Sequence, residues 1–389
     1  MKYEFPHITN ISQVLPVIEG KPEFIVAEKE GGYTVINYLV QMADTFPPVQ
    51  YEADAILREC RGMIFNTATG EVIARRYHKF FNCGEKAETQ INEIDFNEPH
   101  VILEKLDGSM ITPVWTDAGL RWGTKMGITD VALPVEEFVK ANPHYTHYAN
   151  ICRAAGYTPI FEWCSRKQAI VIDHPVDRLV LTALRNTITG EYEPYDRMKQ
   201  SPNELAIPIV EAYNGTAENM QALIDYTRDL VGMEGFVVRF DSGHMIKVKA
   251  EDYLRKHKAK ESLSREKNVI ELIVTEKADD VKSFLDAKDL ARFEEFERKF
   301  WDGVQATVGT LQALRNQCRA VDRKTYAVEF VQKRDPKYSR FLYKMINPMS
   351  NTEVLELVKD SIAASCSTQT KVEEVRWMFN AHWNEQGEE

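Results

Sequence analysis

The chain has 389 residues, of which 44% are hydrophobic and 28% charged, and its 48 Lys and Arg against 59 Asp and Glu leave a net charge of -11. That length predicts two or three domains whose core needs no disulfides, and the acidic balance excludes a histone-like coat while leaving room for a local basic cleft. The six cysteines (Cys60, Cys83, Cys152, Cys164, Cys318 and Cys366) include no C-x-x-C pair, so neither a zinc ribbon nor a thioredoxin-type site is suggested, and their scatter fits a reducing cytosol. From Met1 to Gln13 there is no apolar core of signal-peptide length, and no later run approaches the ~18 apolar residues of a membrane helix, so a cytoplasmic protein without membrane attachment is expected.

Along residues 1–261, short β-branched or aromatic runs alternate with turn signals. Val101-Ile102-Leu103 is followed by Ile111–Trp115, and Thr116-Asp117-Ala118-Gly119 then reads as a hairpin turn. Helices are expected at Val135–Lys140 and Ala217–Val231, and a strand at Leu179–Ala183. Gly235–Phe240 and Met245–Val248 flank a second turn, Asp241-Ser242-Gly243-His244. The pattern predicts an α+β domain built on antiparallel sheets.

From residue 262 the composition changes. Residues 262–389 hold two of the 16 prolines (Pro336, Pro348) and three of the 19 glycines (Gly303, Gly309, Gly387). Scarcity of these turn residues predicts long helices. Phe293, Phe296, Phe300, Val304 and Val308 recur at helical spacing, Leu311 and Leu314 extend the stripe, and Leu355, Val358 and Ile362 repeat it. The expected domains are therefore 1–261 and an all-α 262–389.

The sequence contains no P-loop, no G-x-G-x-x-G, no H-E-x-x-H and no G-x-S-x-G. Lys105-Leu106-Asp107-Gly108 sits between two extended runs, where a lysine at a strand end projects into a cleft or decorates an exposed hairpin. It is followed in order by Glu162 between Phe161 and Trp163, by Glu234-Gly235 at a strand start, and by Lys247-Val248-Lys249, whose lysines share one face of a strand. Upstream stand Glu59-Cys60-Arg61-Gly62 and His78-Lys79-Phe80-Phe81-Asn82.

This ordered set resembles the covalent nucleotidyltransferase superfamily, and within it the phage-type RNA ligase 1 family. The resemblance includes Thr189-Gly190-Glu191-Tyr192 and Arg323-Lys324-Thr325-Tyr326-Ala327. It implies an N-terminal adenylyltransferase domain and an ATP-dependent enzyme joining 5′-phosphate and 3′-hydroxyl ends of single-stranded or tRNA-like RNA. The intermediates would be lysine–AMP and RNA–adenylate. Lys105 resembles the nucleophile. Glu162 resembles a carboxylate needed for ligation, and Tyr253 a tyrosine needed just after K-x-K. Tyr38, Arg61 and Lys79 look like ATP-phosphate contacts, and Lys247 and Lys249 like α-phosphate contacts. Gly108, Lys125 and Glu234 complete the nucleotide site. Mg²⁺ (or Mn²⁺) is implied, with Glu162, Glu234 and Asp279 as candidate ligands; Asp279-Asp280 also suits an acidic helix start. A monomer, encoded by a phage and acting in its host's cytoplasm, is the further expectation. A DNA ligase, a capping enzyme or a noncatalytic RNA-end-binding protein is the alternative.

The chemistry is consistent with those residue types. A free lysine has a pKa near ~10.4 and becomes nucleophilic only when neighbouring cations lower it. Lysines around it would also neutralise phosphate charge. Other features have plainer readings. His144 and His147, beside Pro143, are expected in a loop rather than on zinc. Phe80-Phe81 is either an adenine stack or a buried strand pair. Arg255-Lys256-His257-Lys258-Ala259-Lys260 is either an RNA-phosphate contact or a solvated helix face.

Overall fold

The computed structural model describes residues 4–42, 44–200, 205–215, 217–318 and 322–384. The chain divides into two compact units, Met1–Leu254 and Arg255–Glu389. The division falls within the helix Glu251–Leu263.

In the first unit, β1 (Phe24–Lys29), β2 (Tyr33–Tyr38), β3 (Arg61–Asn66) and β4 (Val72–Ala74) form one antiparallel sheet in that order. β5 (Phe81–Asn82) and β6 (His100–Glu104) are the edges of a second sheet, while β7 (Ser109–Thr116), β8 (Gly119–Gly123), β9 (Tyr157–Cys164) and β10 (Arg178–Asn186) make a third in the order β10-β9-β7-β8. β11 (Gly235–Phe240) and β12 (Met245–Lys249) complete the second sheet, ordered β5-β12-β11-β6. The expected antiparallel character holds throughout except that β5 runs parallel to β12, with Ile246 opposite Phe81.

Both expected hairpins form: Thr116 pairs with Gly119, and Arg239 with Met245. The Lys105–Gly108 segment is not a hairpin. β6 and β7 belong to different sheets, so the motif is a crossover between them. Strand periodicity explains what each sheet offers. On β9, Phe161 and Trp163 pack into the core beneath the helices Leu133–Ala141 and His144–Ala154, which leaves Glu162 on the opposite face. On β12, Ile246 and Val248 pack against Leu223 of the helix Met220–Arg228, which leaves Lys247 and Lys249 on the other face.

His144 and His147 lie on the helix His144–Ala154, with Pro143 as its N-cap, and not in the expected loop. Proline suits a helix start because its fixed φ is compatible there and its missing N–H would be unpaired anyway.

The second unit is helical, as expected. Its longest helix, Ala287–Asn316, buries Phe293, Phe296, Phe300, Val304, Val308 and Leu311 along one stripe, with Leu314 packed beside them. The helix Asn351–Ala363 contributes Val358 and Ile362 to the same core. Tyr326 begins a π-helical turn and donates its hydroxyl to the Leu342 carbonyl at 2.7 Å. Cys60, Cys83, Cys152, Cys164 and Cys366 are free thiols. Among the described residues no helix is long and apolar enough to cross a membrane.

Candidate active site

A cleft of about 620 Å³ opens between the second and third sheets of the first unit. Its wall includes Lys105, Gly108, Arg61, Lys125, Glu162, Lys247 and Lys249. Lys105 leaves the end of β6, and its backbone N–H donates to the Gly235 carbonyl at 2.8 Å. That contact places Lys105 beside Glu234. Lys105 Nζ lies 2.7 Å from Glu234 Oε2, and Lys249 Nζ lies 2.9 Å from Glu234 Oε1.

Two glycines make this approach possible. Gly235 has φ +135°, and a Cβ there would stand 2.1 Å from the Val248 carbonyl oxygen. A Cβ on Gly108 would stand 2.4 Å from the Trp163 carbonyl oxygen, so only glycine lets the crossover lie against β9 next to Glu162.

Asp107 of the same motif is buried and fully engaged. Its Oδ1 accepts from Tyr253 Oη at 2.8 Å, and its Oδ2 accepts from the Val171 and Ile172 N–H groups at 2.7 Å each. His174 Nε2 donates to its carbonyl at 2.6 Å. The aspartate therefore ties three parts of the chain behind Lys105. Burial raises the Tyr253 pKa, and Glu234 and Asp107 raise it further, so its phenol remains a proton donor.

The cations gather around one anion-sized space. Burial pushes Lys247 down to about 7, and Lys79, Arg61 and Lys105 add to that shift. Burial also lowers Lys79. The ammonium groups of Lys79 and Lys125 each stand 5.2 Å from the Tyr38 ring. Burial would raise the Tyr38 phenol, but Lys79, Arg61 and Lys125 outweigh it and hold its pKa low. Glu162 is raised to about 7, first by burial and then by Glu234 and Asp107, against the pull of Lys105 and Arg61.

Of the pair Phe80-Phe81, only Phe81 is fully buried. Phe81 is a core residue, and Phe80 lines the cleft with Lys247 Nζ 5.0 Å above its ring.

The sequence-predicted residues Tyr38, Arg61, Lys79, Lys105, Gly108, Lys125, Glu162, Glu234, Lys247, Lys249 and Tyr253 thus converge in the first unit. Asp279 belongs to the second unit, is almost fully exposed and pairs with Lys282 at 3.7 Å. The Asp280 side chain lies outside the described residues.

No ion pair among the described residues reaches Glu162, and no group of three or more His, Cys, Asp or Glu among them could hold a metal by itself. Glu162 with Glu234 suits a hard cation whose shell is completed by phosphates and water, as Mg²⁺ prefers, and not a protein cage.

Two of the motifs act below the cleft. Glu59 is fully buried between Arg75 (Nε to Oε2, 3.0 Å) and Arg185 (Nη2 to Oε1, 2.6 Å). Arg185 Nε donates to the Gly190 carbonyl at 2.8 Å, and Tyr192 Oη lies 2.9 Å from His78 Nδ1. The Glu59–Gly62 and Thr189–Tyr192 motifs are therefore two sides of one buried ionic hub. Arg61 follows Glu59 by two residues, so the hub fixes where that guanidinium begins.

Sequence reasoning missed Arg75, Arg76, Arg185 and Arg239. Each is a cation at 5% exposure or less. The available signal was an arginine inside an apolar strand run, as in Val237-Val238-Arg239-Phe240.

Residues 59–263 match the family described as RNA ligase, and residues 260–371 match the C-terminal domain of T4 RNA ligase 1. A Thermovibrio ammonificans protein whose name proposes an RNA ligase is 29% identical over 282 residues, 70% of each chain. A protein of Autographa californica nuclear polyhedrosis virus, whose name proposes a bifunctional polynucleotide kinase/RNA ligase, is 23% identical over 77% of this chain. The chain spans about half of that viral protein's length, 48%. Among solved structures, an archaeal ATP-dependent RNA ligase aligns at TM-score 0.43 and 16% identity, over 65% of this chain and 64% of that one. A Naegleria gruberi RNA ligase solved with ATP and Mn aligns at TM-score 0.36 and 15% identity, over 45% and 56%.

Proposed function

The chain belongs to the RNA ligase family, and from that premise we propose that it is an ATP-dependent RNA ligase working through an adenylylated Lys105. One observation carries the reading: a lysine amine, held 2.7 Å from a carboxylate, faces a cleft ringed by cations. Such a cleft suits a polyanion; Lys249 shares the same carboxylate at 2.9 Å, and it is the K-x-D-G motif that singles out Lys105 as the reacting amine.

In the first step the Lys105 nitrogen attacks the α-phosphorus of ATP. A bond from nitrogen to phosphorus forms, the α–β phosphoanhydride breaks, and diphosphate leaves. Before attack the ammonium must lose a proton. The ordered carboxylate at 2.7 Å, Glu234 Oε2, is positioned to accept it. Lys247, Lys249, Arg61 and Lys79 neutralise charge on the phosphates as diphosphate departs. Glu162 and Glu234 would hold a divalent cation together with the nucleotide phosphates, and that ion would supply further charge neutralisation. The AMP then passes to a 5′-phosphate RNA end, and a 3′-hydroxyl displaces it to seal the strand.

The test is ligation of single-stranded 5′-phosphorylated RNA with ATP, in parallel with GTP and with a DNA strand of the same sequence. A sealed or circular RNA product that requires ATP supports the reading. Sealing with DNA alone, or with GTP alone, contradicts it.

A further inference from the structure

Arg239 is an unusual residue for the wall of this cleft. It is 5% exposed, and its Nη1 is buried with no hydrogen-bond partner. Its Nη2 donates to the Glu193 carbonyl at 3.3 Å, on the side of a second cavity that Arg239 also lines. The guanidinium is therefore anchored from behind.

Strand register places Arg239 along the cleft floor. Gly235 lies opposite Lys249, Val237 opposite Lys247, and Arg239 opposite Met245. On the other side Val237 pairs with Leu103, and Arg239 with Val101. The floor thus runs from the Lys105–Glu234–Lys249 end, through an apolar stretch, to Arg239. Four residue steps along the strand lead from Gly235 to Arg239, about 13 Å. That is comparable with the span of a nucleotide from its α-phosphate to the far edge of its base. Tyr77 and Thr182 line the same cleft as Arg239, and an apolar slot with a few convergent polar groups is the usual anatomy of a small-molecule site.

We propose that Arg239 Nη1 donates a hydrogen bond to a ring nitrogen of the purine and so fixes the base at the inner end of the cleft. The inference rests on the nucleotide reading of the site and adds to it a residue that recognises the base. It gives the buried Nη1 its missing acceptor. It also explains why a charged side chain occupies a strand position among Val237, Val238 and Phe240.

The experiment compares ATP with its 1-deaza, 3-deaza and 7-deaza analogues, each of which lacks one ring nitrogen. Each competes against ATP labelled at the α-phosphate in the labelling of Lys105. In the wild type, one analogue should bind about tenfold or more weakly than ATP, as expected for loss of a hydrogen bond to a charged donor. In Arg239→Met, ATP should weaken by a similar factor and the difference between ATP and that analogue should vanish. Arg239→Lys takes its place if the methionine variant does not fold, and should shrink the difference.

Equal binding of all three analogues and ATP to the wild type overturns the inference. A penalty that persists unchanged in the variant also overturns it. A wild type that labels normally but shows either result keeps the proposed function and loses only the Arg239 contact. A wild type that takes no label from ATP overturns both.

Discussion

Tyr253 donates its phenol to Asp107 at 2.8 Å, across 146 positions of sequence. The aspartate two residues after Lys105 is thereby joined to the start of the helix that follows the Lys247–Lys249 strand. Replacing Tyr253 with Phe removes the hydrogen bond to Asp107, a charged acceptor, worth about 1.5–3 kcal/mol. Asp107→Ala should cost more, because it removes the acceptor that the Tyr253 hydroxyl and the Val171 and Ile172 N–H groups share. The order of urea midpoints, wild type above Tyr253→Phe above Asp107→Ala, checks this. An alanine variant as stable as the wild type contradicts it.

The ionic hub predicts a sharper loss. In Glu59→Gln the carboxylate that serves both Arg75 and Arg185 disappears while both guanidinium groups remain buried. Breaking a buried pair in this way costs about 3–5 kcal/mol. Thermal unfolding should therefore shift markedly downward. Lys105 labelling per folded molecule should fall at low temperature by no more than Arg61→Ala loses, because Arg61 is the cleft residue that the hub positions.

Glu162 and Lys247 give opposite pH dependences. Between 4.5 and about 7 the folded protein keeps a proton on Glu162 that the unfolded chain has released, so this group lowers stability as pH rises through that window. Between about 7 and 10.5 the folded protein has released a proton from Lys247 that the unfolded chain keeps, so this group raises stability as pH rises. Urea unfolding across both windows, in the wild type, Glu162→Gln and Lys247→Met, separates them. The glutamine variant should lose the decline in the acid window only, and the methionine variant the rise in the alkaline window only. Unchanged slopes would contradict the burial assigned to these groups.

Gly235 joins backbone geometry to the site. An alanine there must adopt φ +135° and displace the Val248 carbonyl. The strained backbone alone costs about 1–3 kcal/mol, and the shift moves Glu234 away from Lys105. Gly235→Ala should therefore lose Lys105 labelling by a larger factor than its loss of stability explains. Gly84→Ala makes a useful control, since a Cβ at Gly84 meets nothing within 4 Å despite its positive φ.

Much of this arrangement was legible in the sequence, and for physical reasons. Period-two alternation put Lys247 and Lys249 on one face and Glu162 opposite its aromatic neighbours, and the stripe from Phe293 to Leu311 required a helix. Turn chemistry identified both hairpins. The crossover at Lys105 was not legible from local signals, because a glycine-containing turn between two extended runs has the same appearance whether the strands pair or separate. The hub at Glu59 was hidden for a related reason: its partners lie 16 and 126 positions away. Arginine in a sequence also reads as surface until the fold encloses it, and for that reason Arg239 escaped notice. His144 and His147 were misplaced because Pro143 breaks a helix interior but equally well begins a helix.

Adenylylation of Lys105 is the central claim, and one measurement addresses it directly. The protein is mixed with magnesium and ATP labelled at the α-phosphate, beside Lys105→Ala and a labelled GTP control, after diphosphate treatment to clear any AMP already attached. The account predicts base-stable label on the wild type from ATP alone, and none on Lys105→Ala. Label retained by the alanine variant, or none on the cleared wild type, would contradict it.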